Sequence, residues 1–482
     1  MDDAPPAVAS DNIHHRGSGP KEAGNMDADT VERSVLERIV PTKDVVLSIN
    51  DRAARLKSIV ENYLQEHGIA IDMMFTGSYS KGTFLADPDL DLFLLFPESV
   101  PKKEMERIGL RAGEDILHGE RIFSEHPYTR GYFEGIEVDL VPCYNLASTA
   151  DLKTAVDRTP FHTSYITRKL DLPARDQVRL LKRFMKGIGA YGAEQDSRGF
   201  SGYLCELLVV KYGSFRKVLE AAASEWRTGT VITIEGAGDR IRSPLVVYDP
   251  VDPRRNVASA VHKDTLALFI WASRCYLAEP SEDFFFPPER KPLSYAELKA
   301  AAEMHGTRII IVKFDRPDVL EDVLASQLWK TQYAMERKLD EFEFNAIRAV
   351  HSMDDKEMTV ALEMERDKVS KTHKHRGPPV WVADASLNFL DHWNGAAYGE
   401  PFIDDGLWVV TVDRMYTDAA QMLVNESSNA GIGRDMDPAT IRVMRHEDAL
   451  ESGDRAILTD LLRPMFPWEH RGFRRVYNGV LP

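Results

Sequence analysis

The sequence predicts an α+β protein built from several domains. Short apolar runs bounded by turn residues alternate with helical periodicity in the first part, the middle is helical and basic, and strand-like and helical segments mix again after residue 290. A chain of 482 residues suggests about three or four domains, at roughly 100 to 200 residues each. We therefore expect a small N-terminal sheet, a helical central domain, and an α+β C-terminal body followed by a tail.

The N-terminal sheet is predicted to begin with a buried apolar strand over 69–75. Two helices between 31 and 65 precede it, and we expect both to pack on the sheet. Gly77 and Ser78 turn the chain, and the polar segment that ends at Thr83 can start a helix. The free amides at such a helix start face the turn and attract anions. The turn therefore predicts a cradle for phosphate.

Acidic residues enter the next two strands of this sheet. Asp89 and Asp91 precede an apolar run, and the two-residue period of a strand puts both carboxylates on one side. Two acids beside a phosphate cradle indicate a divalent metal, and two cations flanking an in-line displacement require a third oxygen ligand. Asp139 supplies it on the strand 136–141, where apolar and acidic residues alternate. Glu137 shares that face, either as a neighbour of the ligands or as an exposed spectator.

Four motifs thus follow one another along the chain: Gly77-Ser78, Gly82-Thr83, Asp89 with Asp91, and a lone Asp139. In this order they resemble the polymerase-beta-like nucleotidyltransferase superfamily. Four further segments narrow the likeness: 138–144, 157–162, 199–208 and 249–258. They look like the archaeal, class I CCA-adding enzymes, densely over residues 31–290 and loosely beyond. Many of those relatives carry Glu where this chain has Asp89, which ligates magnesium with a shorter arm.

The resemblance implies the addition of a 3′-terminal CCA sequence to tRNA. CMP and AMP would be transferred from CTP and ATP to the tRNA 3′-hydroxyl without a nucleic-acid template, with two Mg²⁺ ions and release of pyrophosphate. It further implies that Asp89, Asp91 and Asp139 are the catalytic metal ligands. The residues implied to bind the nucleotide are Gly77, Ser78, Lys81, Thr159, His162, Lys182, Tyr191 and Arg255.

Arg255 is implied to select the base, because it matches the arginine of the family's Arg-Asn-Val-Ala motif. A planar guanidinium can bind the ring acceptors of cytosine or adenine and reject guanine and uracil. Arg254 beside it leaves this assignment ambiguous, and both arginines could bind phosphate only. Tyr191 can equally be a packing aromatic, and we interpret Arg175, on the basic face of the helix 173–188, as a solvated residue.

Other functions stay open from the sequence. A polyadenylating or other polymerase-beta-like RNA nucleotidyltransferase shares the three acids and differs in its acceptor, whereas the large C-terminal half disfavours an antibiotic-modifying enzyme. A non-catalytic RNA-binding protein is the alternative of a different class, and the intact acidic set argues against it. In the least specific interpretation, the Gly-Ser motif is a loop and the acids are solvated strand ends.

The net charge of −16 argues mildly against a nucleic-acid partner, because phosphate contacts need Lys and Arg. A disordered acidic leader over 1–30 contributes to that total. Basic residues cluster at 368–376, as a solvated loop or a tRNA contact. They also lie between aromatics at 468–477, which suits stacking on RNA or a C-terminal cap. tRNA is the partner that the resemblance implies.

The domain boundaries follow from these changes in composition. The apolar, proline-stopped segment 284–288 is expected to be a linker. We predict a disordered acidic leader at 1–30, a nucleotidyltransferase head at 31–150, a central nucleotide-recognition neck at 151–285, an α+β body resembling an RNA-recognition fold at 286–380, and a tRNA-binding tail at 381–482.

Cysteine and histidine usage indicates neither a disulfide framework nor a zinc site, because ligand spacing is lacking. No apolar run approaches the ~20 residues of a membrane span, and no signal pattern opens the chain, so we expect a cytoplasmic protein without a membrane partner. A homodimer is one option for its assembly. The expected buried thiols are Cys143, Cys205 and Cys275, and the expected exposed histidines are His14, His15, His373 and His375.

Overall fold

The computed structural model describes residues 27–85, 88–122, 126–193, 197–236, 238–319 and 321–469. Most of the predicted leader, with His14 and His15, therefore lies outside the described residues, as does the arginine-rich end of the chain. Residues 28–30, predicted as leader, already belong to the first helix. Within the described ranges, no helix is long and apolar enough to cross a membrane.

The chain through residue 144 folds into the following elements: α1 (Ala28–Ile39), α2 (Lys43–Glu66), β1 (Asp72–Phe75), α3 (Gly77–Lys81), β2 (Leu90–Phe96), α4 (Lys102–Leu117), β3 (Glu120–Ile122), β4 (Tyr128–Phe133) and β5 (Ile136–Tyr144). The sheet has the strand order β1-β2-β5-β4-β3. The first strand is shorter and more exposed than the predicted buried strand over 69–75, because it lies at the edge of the sheet.

The strand register places acidic residues side by side. β2 and β5 run parallel, and Asp91 is the direct partner of Asp139. β4 and β5 form a hairpin whose turn residues, Glu134 and Gly135, both have positive φ, as a tight two-residue turn requires. This turn sets Arg130 opposite Asp139. The hairpin predicted across these turn residues is confirmed.

The first two helices pack on different parts of the molecule. α2 contributes Leu56 and Val60 to the core of the five-stranded sheet, as predicted. α1 instead joins the core of the central helices through Val31, Val35 and Ile39. The prediction that both helices pack on the sheet is therefore wrong for α1, because its apolar stripe is covered by another domain.

The central domain is mostly helical and contains α5 (Thr159–Lys169), α6 (Leu172–Gly187), α7 (Gly202–Tyr212), α8 (Phe215–Ser224), β6 (Thr230–Ile232), β7 (Leu245–Val247) and α9 (Lys263–Ala278). Phe184 lies in its core, with the rings of Phe284 and Phe285 at centroid distances of 5.8 and 5.6 Å. Both of these phenylalanines are buried. The predicted linker is therefore wrong at these positions, because aromatic burial makes them part of the core.

The C-terminal end of the described chain returns to the same core. Trp468 is only 3% exposed, and its ring stacks on Phe284 and Phe466 at centroid distances of 5.0 and 4.8 Å. The prediction that this tryptophan stacks on RNA is wrong, since its surface is already covered by protein. The alternative of a C-terminal cap holds for it, although the cap covers the central domain.

The remaining elements form the C-terminal half: α10 (Tyr295–His305), β8 (Arg308–Asp315), α11 (Glu321–Glu341), β9 (Ala346–Met353), β10 (Glu357–Met364), β11 (Thr372–Pro379), α12 (Ala383–His392), β12 (Phe402–Asp404), β13 (Leu407–Asp413), α13 (Ala419–Glu426), β14 (Arg442–Met444), α14 (His446–Ser452) and α15 (Arg455–Leu462). One sheet has the order β14-β8-β10-β9 and another the order β11-β13-β12.

The predicted body and tail share one structural unit. β14 belongs to the predicted tail but pairs with β8 of the body, and α14 and α15 pack on the same sheet, α14 on β8 and α15 on β9 and β10. The division at residue 380 therefore does not separate two cores. The basic run 368–376 is not simply a loop, because its second half forms β11 and pairs with β13.

The cysteines and the described histidines follow the prediction in part. Cys143 and Cys205 are buried as predicted, whereas Cys275 is only partly buried. His375 is exposed as predicted, and His373, its neighbour on β11, is only partly exposed. Cys275 lies on α9 and His373 lies on β11, and both side chains are partly covered there.

Candidate functional site

The three predicted acidic ligands lie on neighbouring strands. Asp91 and Asp139 are partners in β2 and β5, and Asp89 lies just before β2. Gly77 begins α3 against them, and a Cβ built on it would lie 1.8 Å from Oδ2 of Asp91. Its positive φ of 65° also favours glycine. Burial, together with the charges of Asp89 and Asp139, raises the pKa of Asp91 to about 7.

Arg130 neutralises part of this negative charge. From β4, its Nε and Nη2 donate to the two oxygens of Asp139, both at 2.8 Å. The same Nε lies 3.3 Å from Oε1 of Glu137, and Nη2 also donates to the hydroxyl of Tyr128 at 3.2 Å. Such bidentate pairs are strong and geometrically specific. The sequence reasoning missed Arg130, although the hairpin turn places it opposite Asp139.

The acidic set fits a divalent cation in donor type and charge. Burial first, and then the charges of Asp89 and Asp139, raise the pKa of Asp91, and a hard cation with oxygen ligands would favour its ionised form. As the side chains stand, no three His, Cys, Asp or Glu residues within the described ranges are gathered closely enough to hold a metal. Both oxygens of Asp139 are bound to Arg130 in this arrangement.

A cleft of about 910 Å³ opens beside Asp89, whereas Asp91 and Asp139 are not among the residues that line it. Within it, the hydroxyl of Ser78 donates to Asp89 at 3.4 Å, and Tyr191 forms a β-bridge with Phe200. The Nζ of Lys186 lies 5.1 Å from the centroid of the Tyr191 ring. The predicted residues that line the cleft are Ser78, Asp89, Lys182 and Tyr191, and the lining residues missed by the prediction include Arg52, Tyr132 and Lys186.

A buried glutamate joins two of the predicted nucleotide-binding lysines. Glu206 on α7 is fully buried, and its Oε2 accepts from Nζ of Lys81 at 2.6 Å. Its Oε1 accepts from the hydroxyl of Thr83 at 2.6 Å and from Nζ of Lys182 at 3.2 Å. Lys81 and Thr83 belong to the N-terminal sheet domain, whereas Glu206 and Lys182 belong to the central domain. This cluster therefore ties the two domains together beside the cleft.

The charges in this cluster depend on one another. Burial lowers the pKa of Lys182. Although burial alone would raise it, the charges of Lys81 and Lys182 hold the pKa of Glu206 below its usual value. The ionised carboxylate thus lies between two ammonium groups. The cluster carries at most one net positive charge, which suits a phosphate-bearing ligand in the adjoining cleft.

A second buried carboxylate gathers two more predicted residues. Asp249 is fully buried, and its Oδ2 accepts from Nε2 of His162 at 2.7 Å and from Nη1 of Arg255 at 3.2 Å. Its Oδ1 accepts from the hydroxyl of Tyr203 at 3.0 Å and from the amide of Val251 at 3.1 Å. The ring of His162 also stacks on that of Tyr203, with centroids 4.0 Å apart. Burial lowers the pKa of His162.

Three more residues that the sequence analysis discussed lie near the clusters at Glu206 and Asp249. Thr159 begins α5 and is partly exposed. The side chain of Arg254 is 68% exposed and its Nε lies 3.2 Å from Oδ1 of Asp252, so it points away from Asp249. Arg175 is half-buried and not simply solvated as interpreted, because its Nη1 would lie only 2.8 Å from a Cβ added to Gly82.

Arg179 is a further contact between the domains that the sequence reasoning missed. Its Nε donates to the carbonyl of Phe84 at 2.9 Å, and its Nη2 donates to that of Gly82 at 2.7 Å. Its basic position on α6 gave no local sign of these partners, since they lie on a loop of another domain. The contact fixes the backbone between α3 and β2.

The family models and the similar sequences agree on one family. Three family models match: "Nucleotidyltransferase domain" over 56–162, "tRNA nucleotidyltransferase, second domain" over 176–286, and "CCA-adding enzyme, C-terminal domain" over 305–443. The CCA-adding enzyme of Methanosarcina barkeri is 37% identical over 412 residues, which cover 83% of this chain and 90% of the relative. That of Halobacterium salinarum is 39% identical over 415 residues, with coverages of 84% and 91%.

A solved structure of the Cid1 poly(U) polymerase with magnesium and 3′-dATP is a more distant match. It is 16% identical, covers 53% of this chain and 97% of its own, and has a TM-score of 0.43.

We predict that Glu206→Ala destabilises the central domain by about 3 to 5 kcal/mol, because it leaves two buried lysines without their carboxylate. Glu206→Gln should be milder, since its amide oxygen can still accept the hydrogen bond from Thr83. Urea unfolding, followed by hydrogen exchange in α7, measures the loss. Glu220→Ala, at an exposed site on the adjacent α8, is the matched control. Equal losses at the two glutamates would contradict this role.

Proposed function

We propose that this chain, which belongs to the family of CCA-adding enzymes, completes the 3′ end of tRNA with CMP and AMP taken from CTP and ATP. The observation that carries the proposal is the pairing of Asp91 with Asp139 on neighbouring strands, next to Asp89, which lines a cleft together with Ser78 and Lys182. The tRNA 3′-hydroxyl would attack the α-phosphate of the bound nucleotide, and pyrophosphate would leave. Relatives named CCA-adding enzyme, matched over 83% and 84% of the chain, support tRNA as the acceptor.

Asp89, Asp91 and Asp139 are the residues that we assign to Mg²⁺. A divalent cation bound there supplies positive charge to the reacting phosphate and to the attacking oxygen. Arg130 has to release Asp139 for this assignment, and Glu137, 3.3 Å from its Nε, is the carboxylate that can keep the guanidinium nearby. Gly77 leaves the space that the carboxyl group of Asp91 needs.

The cleft and its lysine cluster are proposed to bind the triphosphate. Ser78 lies at the start of α3, where the hydroxyl and free amides can donate to phosphate oxygens. Lys182 reaches the cleft while Glu206 holds it, and the net positive charge of the cluster favours a polyanion. Tyr191 lines the same cleft and also packs against the central core, so its exposed part is proposed to contact the nucleotide.

Base selection is assigned to Arg255, whereas Thr159 and His162 on α5 are assigned to the triphosphate. The side chain of Arg255 is 34% exposed and anchored by Asp249, so its planar donors have a defined direction. Arg254 is paired with Asp252 and twice as exposed, which fits a phosphate contact better than base selection.

The deciding experiment supplies tRNA that lacks its CCA end together with each labelled nucleotide in turn. We expect two CMP and one AMP to be added in that order, after which addition stops. Long runs of AMP would indicate a polyadenylating enzyme instead. Binding of tRNA without any incorporation would indicate a non-catalytic RNA-binding protein.

A homodimer and a cytoplasmic location are further proposals. The assembly is tested by sedimentation of the full chain at several concentrations. A single species with the mass of 54.5 kDa at every concentration would exclude the dimer.

Gly77→Ala should lower the rate of nucleotide addition by at least about 10-fold, because its Cβ would displace the carboxyl group of Asp91, and one lost active-site contact of ~1.4 kcal/mol has that effect. The matched control is Gly68→Ala, which imposes the same positive-φ strain where no atom lies within 4 Å of the new Cβ. Single-turnover incorporation measures both rates. Equal slowing of the two variants would assign the effect to backbone strain.

Asp139→Asn should reduce kcat at least about 100-fold while the Kd for tRNA changes less than about twofold, since a metal ligand is lost and an RNA contact is not. Glu134→Gln on the same hairpin removes another arginine-paired carboxylate, whose Oε1 accepts from Arg55 at 3.1 Å. This control should keep full activity. Near-normal turnover of Asp139→Asn with Mg²⁺ would remove Asp139 from the ligand set.

Arg255→Ala should lower the preference for CTP and ATP over UTP and GTP by roughly 10- to 200-fold, as expected from loss of one bidentate base contact of ~1–3 kcal/mol. Arg254→Ala is the control and should leave those ratios unchanged, because its side chain points to solvent. Four kcat/KM values per variant provide the test. If Arg255→Ala weakens all four nucleotides alike, the residue contacts phosphate and does not select the base.

A further inference from the structure

Asp249 connects two residues that the proposed function assigns to different parts of the nucleotide. One of its two oxygens, Oδ2, accepts hydrogen bonds from both His162, at 2.7 Å, and Arg255, at 3.2 Å. His162 lies on α5, whereas Arg255 follows β7, so the two come from separate elements. The carboxylate is fully buried. It therefore links the two side chains through a contact that water does not screen.

We propose that Asp249 is a positioning residue that couples base selection by Arg255 to triphosphate binding by His162. The inference rests on the proposed function and adds a residue that the sequence reasoning did not single out. In this proposal, contact between Arg255 and the base of a bound CTP or ATP strengthens the contact between His162 and its triphosphate.

The second oxygen of Asp249, Oδ1, is held in place, and this explains how a movement of Arg255 affects His162. Oδ1 is held by the hydroxyl of Tyr203 and the amide of Val251, so the carboxylate cannot follow Arg255 when the guanidinium turns toward a base. His162 then becomes the main partner of Oδ2. A carboxylate with fewer cationic partners favours the charged imidazolium, which donates to phosphate through its second nitrogen. A matching base at Arg255 thus strengthens the contact of His162 with the triphosphate.

A pair of matched substitutions tests the role of the carboxylate. Asp249→Asn should lower the CTP-to-UTP and ATP-to-GTP ratios of kcat/KM by at least about 10-fold and raise KM for CTP, since both Arg255 and His162 lose their charged partner. The control is Asp252→Asn, the same change at another buried acid of this loop. It should alter each ratio less than about twofold. Equal losses for all four nucleotides in Asp249→Asn would reduce Asp249 to a structural residue.

A double-mutant cycle tests the coupling in a chain that retains Asp249. The variants are Arg255→Lys, His162→Asn and the double variant that carries both changes. CTP binding to each of them and to the unchanged protein is measured by calorimetry. The joint loss should differ from the product of the single losses by at least about fivefold, as for residues that share a partner. Strictly multiplicative effects would overturn the proposal even if Asp249→Asn fails to fold.

The ring nitrogens of His162 supply a spectroscopic readout that a structural role would not move. In the free protein, the ¹⁵N shifts should report a proton on Nε2, the atom bound to Asp249. Adding CTP should move the ring toward the doubly protonated form, and adding UTP should move it less. Identical spectra with the two nucleotides would overturn the coupling. Absence of CMP addition to tRNA, with the CTP-specific shift retained, would contradict only the proposed function.

Discussion

The contact of Glu206 with Lys81 and Lys182 is the constraint on which the rest of the site depends. The acids come from the N-terminal sheet, whereas most of the assigned nucleotide contacts come from the central domain, so the two must be held in register. Lys81 ends α3, the helix whose first residue, Gly77, touches Asp91. The position of the acids relative to the cleft is thus transmitted through one short helix, and Arg179 secures the loop after it.

A buried ion cluster of this kind is a poor way to gain stability. Removing two ammonium groups and a carboxylate from water costs free energy that their attraction only partly returns, and apolar residues of similar volume would often stabilise as well. Apolar residues could not present positive charge to the cleft, however. The cluster at Glu206 is therefore better explained by the polyanion that the site is proposed to bind than by the folding of the two domains.

The parts of the fold that depend on local pattern were predictable from the sequence. The apolar run that follows Asp89 and Asp91 predicts β2, and the two-residue turn predicts the hairpin that carries Asp139. Contacts between distant segments were not predictable, because an apolar stripe does not say which surface covers it. For this reason α1, Phe284 and Trp468 were assigned to the wrong surroundings.

Glu206 and Asp249 were missed for a related reason. Glu206 is a lone acid among apolar neighbours in sequence, which indicates burial with a partner, but the partner lies elsewhere in the chain. Asp249 gives no such signal, because the charged residues Asp252, Arg254 and Arg255 follow it closely. A single acid in an apolar helix such as α7 is therefore a usable signal for a buried ionic cluster. The identity of its cations needs the fold, since Lys81 is separated from Glu206 by 125 positions.

The pairing of Lys and Arg side chains with acids at the site also explains how a chain with a net charge of −16 can bind polyanionic partners selectively. Several cations around the site are already bound to acids: Arg130 to Asp139, Lys81 and Lys182 to Glu206, and Arg255 to Asp249. A phosphate that enters has to compete with a carboxylate for each of them, so positive charge alone cannot retain any polyanion that arrives. Breaking an ion pair within the protein costs free energy. Only a ligand whose charged groups contact several of these cations at once forms enough new contacts to offset that cost. Selectivity in such a site therefore comes from the geometry of paired charges, while an unpaired basic surface would bind nucleic acid without discrimination.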